Sequence, residues 1–158
     1  MADWGTPVRR ILYTMHFVGR ASAAAADSTT LKTSGTAASC VITTLVLPSG
    51  VQTELKGSAG DLAFLESELR LKGADEFEEN GQITFGDEGE HVLEFATLGR
   101  GHMVLGIEPG LMAGSVSWRI SGGNGQFARA QGVISSTFTI SESGDRSDLH
   151  SGLIFVPE

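Results

Sequence analysis

Five side chains have the types and settings to move a proton or polarise a carbonyl: Glu94, His102, His150, His16 and Arg119. An ionisable group whose neighbours on the same strand face are apolar is drawn out of water, which shifts its pKa toward acid-base use. Glu94 alternates with Val92 and Ala96, His16 with Leu12 and Val18, and His150 with Gly152, Ile154 and Val156. Arg119 shares its face with Ser115, Ser117 and Ser121, a polar row that suits either a wet cavity or an outer surface. His102 sits in the Gly-flanked loop 99–106, where the mouth of a barrel would lie. For each one taken alone, the plainer reading is a surface or a satisfied structural side chain. Tyr13, Phe17, Phe95 and Trp118 read most simply as core, with the capacity to stack on a flat ligand. Glu66 and Glu68 share a face with Phe64 and Arg70, so they read as an exposed face paired by Arg70 rather than as an acid-base couple.

Several chemistries are excluded by spacing. The four histidines show neither H-x-H nor H-x-x-x-H, and the single Cys40 rules out a cysteine cluster, so no metal site is expected. Cys40 itself, within "ASCVITTLVL", reads as a small buried hydrophobe. No G-x-S-x-G occurs, which leaves a serine hydrolase of the strand-turn-helix kind without support. "SGGNGQFARAQG" (121–132) has the G-x-G-x-x-A spacing of a dinucleotide-binding turn, with Glu142 at the distance of a ribose-binding acid. That motif needs a helix after it, yet "VISSTFTI" follows at strand density. The glycines therefore read as punctuation between two strands, and no cofactor is expected.

Composition sets the outer bounds. The chain has 158 residues, suited to a single domain over 1–158, with 41% hydrophobic and 19% charged residues. Glycine is high at 21, which implies many turns. The net charge of −8 and the absence of any basic cluster beyond Arg9-Arg10 leave nucleic acid an unlikely partner by electrostatics. "VRRILYTMHFVGRASAAAA" has the basic, apolar and small-residue parts of a secretory leader, but Tyr13, Thr14 and His16 interrupt the apolar run and Arg20 follows it. No apolar run nears the roughly 20 residues of a membrane span. A cytoplasmic protein without membrane contact is expected.

Periodicity supplies the positioning elements. "RILYTMHFV" (10–18) alternates with both faces apolar, as in a strand buried on two sides. Residues 21–36 read as a polar loop, with "ASAAAAD" able to form a helical turn. "ASCVITTLVL", "PSG" and "VQTELKG" read as a hairpin, and "LAFLESELRLKG" (62–73) as a strand. After an acidic turn, "ADEFEENG", strands are expected at 82–87, 91–99, 115–121, 131–141 and 149–156. Eight or nine short strands without a clear helix argue for an all-β antiparallel sandwich or closed barrel.

"GSVSWRISGGNGQFARAQGVISSTFTI" resembles the strand, G-G-[TSN]-G-x-F loop and A-x-G strand of the allene oxide cyclase and dirigent barrels, carried by Gly122, Gly123, Gly125, Phe127, Ala130 and Gly132. "LHSGLIFV" stands where their last strand would. The resemblance covers about residues 110–156. It implies an eight-stranded antiparallel β-barrel, allene oxide cyclase-like or calycin-like, with an apolar cavity, and a homo-oligomer, dimer or trimer. Bacterial relatives that close rings by cycloaddition or demethylate a phenazine imply secondary metabolism and a cavity that folds a reactive apolar molecule. It carries no catalytic residue over to this chain.

The expected function is that of a cofactor-free cyclase, isomerase or related lyase acting on a small apolar, aromatic or polyene ligand. Pre-organisation of the ligand would lower the barrier, and one or two polar groups would shuttle a proton. A non-catalytic, lipocalin-like carrier is the alternative, and a purely structural barrel a third reading.

Overall fold

Alternating β-branched and aromatic side chains have a consistent outcome: the chain is almost entirely strand. The computed structural model describes residues 7–24, 27–106 and 108–158. Among the described residues nine strands run in order: β1 (Val8–Ala24), β2 (Asp27–Leu47), β3 (Gly50–Leu71), β4 (Glu76–Phe85), β5 (His91–Thr97), β6 (Gly101–Leu105), β7 (Leu111–Asn124), β8 (Gln131–Ser141) and β9 (Asp145–Pro157). A 3-10 turn, Gly125–Phe127, links β7 to β8.

All pairings are antiparallel. The order is β3-β2-β1-β9-β8-β7-β5-β4-β6, and β3 also pairs with β4, so the sheet runs round in a ring. β4 pairs with β6 through Glu76 and Phe77 and with β5 through residues 80–85. β7 does the same from the other side, so β5 and β6 share one place between β4 and β7.

The inner face holds Phe17, Leu65, Leu69, Phe77, Ile83, Leu93, Phe95, Trp118, Ile134, Phe138 and Ile154, each at most 2% exposed. Close approach of the strands demands small residues opposite the large rings. A Cβ on Gly114 would lie 2.4 Å from the Phe138 ring, so the glycine makes room for it. Gly125, at φ +62°, turns the chain between β7 and β8, and the backbone N–H of Gln126 then donates to His91 Nδ1 at 3.0 Å. The "GGNGQF" stretch is thus a strand, a one-turn 3-10 segment and a return to strand, with no helix for a dinucleotide phosphate.

Four sequence readings need correction. β1 is buried on one face only: Leu12 is 77% and Val18 59% exposed, because the ring covers its inner side alone. Much of 21–36 is strand rather than loop, because Val18–Ala23 pairs with Leu31–Thr36. The helical turn considered for "ASAAAAD" falls partly on Ala25 and Ala26, outside the described residues. The acidic "ADEFEENG" is no turn beyond its first residues, since Phe77–Asn80 pairs with Glu68–Leu71. The loop assigned to 99–106 contains β6, and His102 lies within it, paired with Glu76 and Ser115.

β2 and β3 are the longest strands, at 21 and 22 residues. β2 pairs with β1 no further along than Thr36, and β3 pairs with β4 only from Ala63 onward. Between these points they pair only with each other, from Cys40–Gly57 to Leu47–Gly50. The expected hairpin is therefore present, as a two-stranded arm that leaves the ring. Cys40 is half-buried at its base and free.

Candidate functional site

β9 sends every second side chain inward, which lines up Arg146, Asp148 and His150 inside the ring. None of them is more than 3% exposed. β4 contributes the fully buried Glu79 and β8 the fully buried Ser136, with Thr33 from β2, Ser67 from β3 and Tyr13 from β1 completing the set. Arg146 donates to both Glu79 oxygens, from Nη1 to Oε2 at 2.9 Å and from Nη2 to Oε1 at 3.3 Å. Its Nη2 also lies 3.0 Å from Asp148 Oδ2, and its Nη1 donates to Thr33 Oγ1 at 2.9 Å. Ser67 Oγ donates to Glu79 Oε2 at 2.8 Å and is hydrogen-bonded to the Thr33 hydroxyl. Ser136 Oγ donates to Asp148 Oδ1 at 2.6 Å.

The other end of this network has the geometry of an acid-base relay. His150 Nε2 lies 3.0 Å from Asp148 Oδ2, and Tyr13 Oη lies 3.1 Å from His150 Nδ1. An ionised carboxylate only accepts, so Nε2 carries the proton toward Asp148. Nδ1 is hydrogen-bonded to the Tyr13 hydroxyl and accepts from it when the ring is neutral. Burial, reinforced by the Asp148 charge, pushes the Tyr13 phenol well above its ordinary value, so it remains a donor. Burial would raise the Asp148 carboxyl. The hydrogen bond and charge of His150, the Arg146 charge and the Ser136 hydrogen bond outweigh it and hold the carboxyl below the usual range. Burial likewise opposes the charged form of Arg146, but Glu79 and Asp148 overcome it, and its guanidinium pKa is raised.

Acid sensitivity follows from the depressed Asp148 carboxyl. A group lowered in the folded state stabilises fully above its unfolded pKa, about 3.9, and loses that contribution as pH falls through the folded value. Urea unfolding at stepped pH should show stability falling below about pH 4, and Asp148→Asn should flatten the slope there. An unchanged slope in the variant would remove Asp148 from the account.

Aromatic rings surround the relay. Phe17 and Trp118 lie 4.6 Å and 4.9 Å from the His150 ring by centroids, Trp118 edge-on at 90°. Phe95 stacks on Trp118 at 3.8 Å. The Arg146 guanidinium lies 4.3 Å from the centre of Phe138, a cation–π contact. Trp118 Nε1 and Arg146 Nε are buried donors with no acceptor among the described residues.

Of the five candidate acid-base groups, one is in this interior. His150 is wholly buried. Glu94 and Arg119 are exposed on the outer wall, and His102 is exposed on β6. His16 is half-buried on the outer wall, with Nε2 2.8 Å from Ser147 Oγ. The four aromatic candidates Tyr13, Phe17, Phe95 and Trp118 all converge near His150, directly or through Trp118. Glu66 and Glu68 face outward, with Arg70 Nη2 3.3 Å from Glu68 Oε2. Glu79, Arg146, Asp148 and Ser136 escaped the sequence reading. The spacing of Arg146, Asp148 and His150 at every second residue is the signal that would have found two of them.

Three cavities adjoin these elements, and none of the three is lined by Tyr13 or His150. One of about 340 Å³ lies where the arm leaves the ring, among Met15, Ser39, Asp61, Ala63, Phe85 and His91. Phe85 separates it from Tyr13, the two rings meeting edge-on at 6.0 Å, and Phe127 packs on Phe85 at 5.2 Å. A groove of about 860 Å³ crosses the outer wall beside Lys32, Glu66, Gln82 and Glu94, with Thr33 and Ser67 also lining it. A third, of about 560 Å³, lies among Leu105, Pro109, Met112 and Ile140. Among the described residues no cluster of three or more His, Cys, Asp or Glu side chains is placed to hold a metal ion. Nor is any helix there long and apolar enough to cross a membrane. No protein-family model, curated protein or solved structure matches the chain.

Proposed function

We propose that this chain is a cofactor-free isomerase or cyclase of the allene oxide cyclase-like, eight-stranded barrel type, acting on a small apolar molecule. The observation that carries the reading is the Tyr13–His150–Asp148 chain, set among Phe17, Phe95 and Trp118. The shared place of β5 and β6 between β4 and β7 gives eight positions round the ring, which supports the barrel assignment. The substrate enters at the cavity beside Met15, Ala63 and Phe85, whose volume of about 340 Å³ suits a small ligand. Rotation of Phe85 opens that cavity onto Tyr13. The Tyr13 hydroxyl then hydrogen-bonds the reacting oxygen, while Nδ1 of His150, held by Asp148, takes the proton that the substrate loses and returns it to the rearranged product. The unpaired indole N–H of Trp118 supplies a second donor for a developing oxyanion. Aromatic walls fold the substrate into a reactive conformer.

A carrier is the second reading, favoured by the separation of that cavity from the fully buried His150, with Phe85 standing between it and Tyr13. A thermal-shift screen against polyenes, phenazine-like and phenolic aromatics and terpenoids separates the two, because a ligand of the folded state raises the melting temperature. Hits recovered with a changed structure or retention time by mass spectrometry are the expected result. Hits recovered unchanged support the carrier, and silence across the panel overturns both in favour of a structural barrel.

A further inference from the structure

Outside the ring, the arm is an amphipathic ribbon. Cross-strand register puts Ile42 opposite Leu55, Thr44 opposite Thr53 and Val46 opposite Val51, so one face is wholly uncharged. The other face takes both charges of the paired segment, Glu54 and Lys56. On the uncharged face Val46 is 81%, Val51 71% and Leu55 56% exposed. The paired segment from Cys40 to Leu47 is roughly 25 Å long at ~3.3 Å per residue. A two-stranded ribbon with no third layer is only marginally stable in water, so this face calls for a cover.

The outer wall of the ring is divided in charge. Over β2 to β5 it presents Lys32, Glu66, Glu68 and Glu94. Over β1, β9 and β8 it presents Leu12, Leu153 and Val133 side by side in register, and Leu149 further along β9. Leu12 is 77% exposed, and the other three lie between 43% and 44%. Between them stand Thr14, His16, Ser135, Ser151 and Thr137. Two copies of a chain with net charge −8 repel, and they approach at least cost where neither surface carries negative charge. The uncharged arm face and this wall, which holds no carboxylate and is bordered by the cationic Arg10 and Arg119, are such a pair, and each is apolar enough to gain from burial.

We propose that the arm of one copy docks by its Ile42–Val46–Leu55 face on the β1-β9-β8 wall of a second copy. The contact is heterologous: arm meets wall, not arm meets arm. Sedimentation velocity on the full chain, up to the millimolar range, tests it with Val46→Lys in the arm and Leu153→Lys in the wall. Both sites are exposed, so circular dichroism and melting temperature should match the wild type. Val51→Lys and Leu12→Lys replace any variant that fails this check. The expected result is a multi-chain species for the wild type, monomer for each variant alone, and a two-chain species when the variants are mixed, since one supplies an intact wall and the other an intact arm. A monomeric wild type overturns the proposal. So does a wall variant that still associates, or a mixture that stays monomeric, which would indicate like-on-like contact.

Discussion

Replacing Glu79 by alanine should destabilise the fold by about 3–5 kcal/mol, the range for removing one partner of a buried ion pair. Arg146 would then keep its charge inside the ring with Asp148 as its remaining carboxylate, and Ser67 would lose its acceptor. Typical domain stabilities are about 5–15 kcal/mol, so a loss of this size leaves a marginal protein. Urea unfolding of Glu79→Ala gives the number. The complementary experiment replaces Glu79, Arg146 and Asp148 together with apolar residues of similar volume. Because a buried pair repays its desolvation poorly, the triple variant should be far less destabilised than Glu79→Ala. If the triple variant is the worse of the two, the charges themselves hold the interior together.

The second large effect concerns turnover. On the isomerase reading, Tyr13→Phe should lower kcat by about 10²–10⁴, the usual contribution of a positioned acid-base group. Ring packing against Phe85 is retained, and only the hydroxyl bonded to His150 is lost. The stability change should stay near 1–3 kcal/mol, the cost of leaving a buried acceptor unpaired. Steady-state kinetics on a substrate from the thermal-shift screen, beside urea unfolding, distinguishes the two effects. Unaltered turnover in a folded Tyr13→Phe protein would remove the relay from the chemistry. The raised Tyr13 pKa adds a sign: the phenol stays protonated through neutral pH, so it serves as donor and not as phenolate base.

Parity along strands revealed half of this site. His150 and the four aromatics were legible because each has apolar residues at the same parity of its own strand. Glu94 was misleading for a related reason. Val92 and Ala96 flank it, but Leu93 and Phe95 on the opposite face are larger, and the bulkier face won the interior. Comparing the two faces, rather than judging one, would have turned Glu94 outward. Glu79 was hidden by composition: four acids between Asp75 and Glu79 read as a solvated turn, although Phe77 and Glu79 already share the inward parity. Arg146 and Asp148 were hidden the same way, by Ser and Gly neighbours that suggested the turn had not yet ended. Periodicity also identified the hairpin of β2 and β3 but not its departure from the ring. Alternation shows that a residue is in a strand; it does not show where the strand's other neighbours stop.

The pairing of β1 with β9 has a bearing on how the chain folds during synthesis. Tyr13 meets His150 across 137 positions, and the ladder between these strands runs from Val8–Pro157 to Arg20–Asp145. A ribosome delivering about 5–20 residues per second exposes β1 long before its partner exists. Through that interval the inward face of β1, with Tyr13 and Phe17, has no β9 to close over it. The arm and its flanking segments, by contrast, join strands adjacent in sequence and can zip as soon as they emerge. Early order therefore belongs to the hairpin of β2 and β3, and closure of the ring is the last and slowest step, governed by long-range loop entropy.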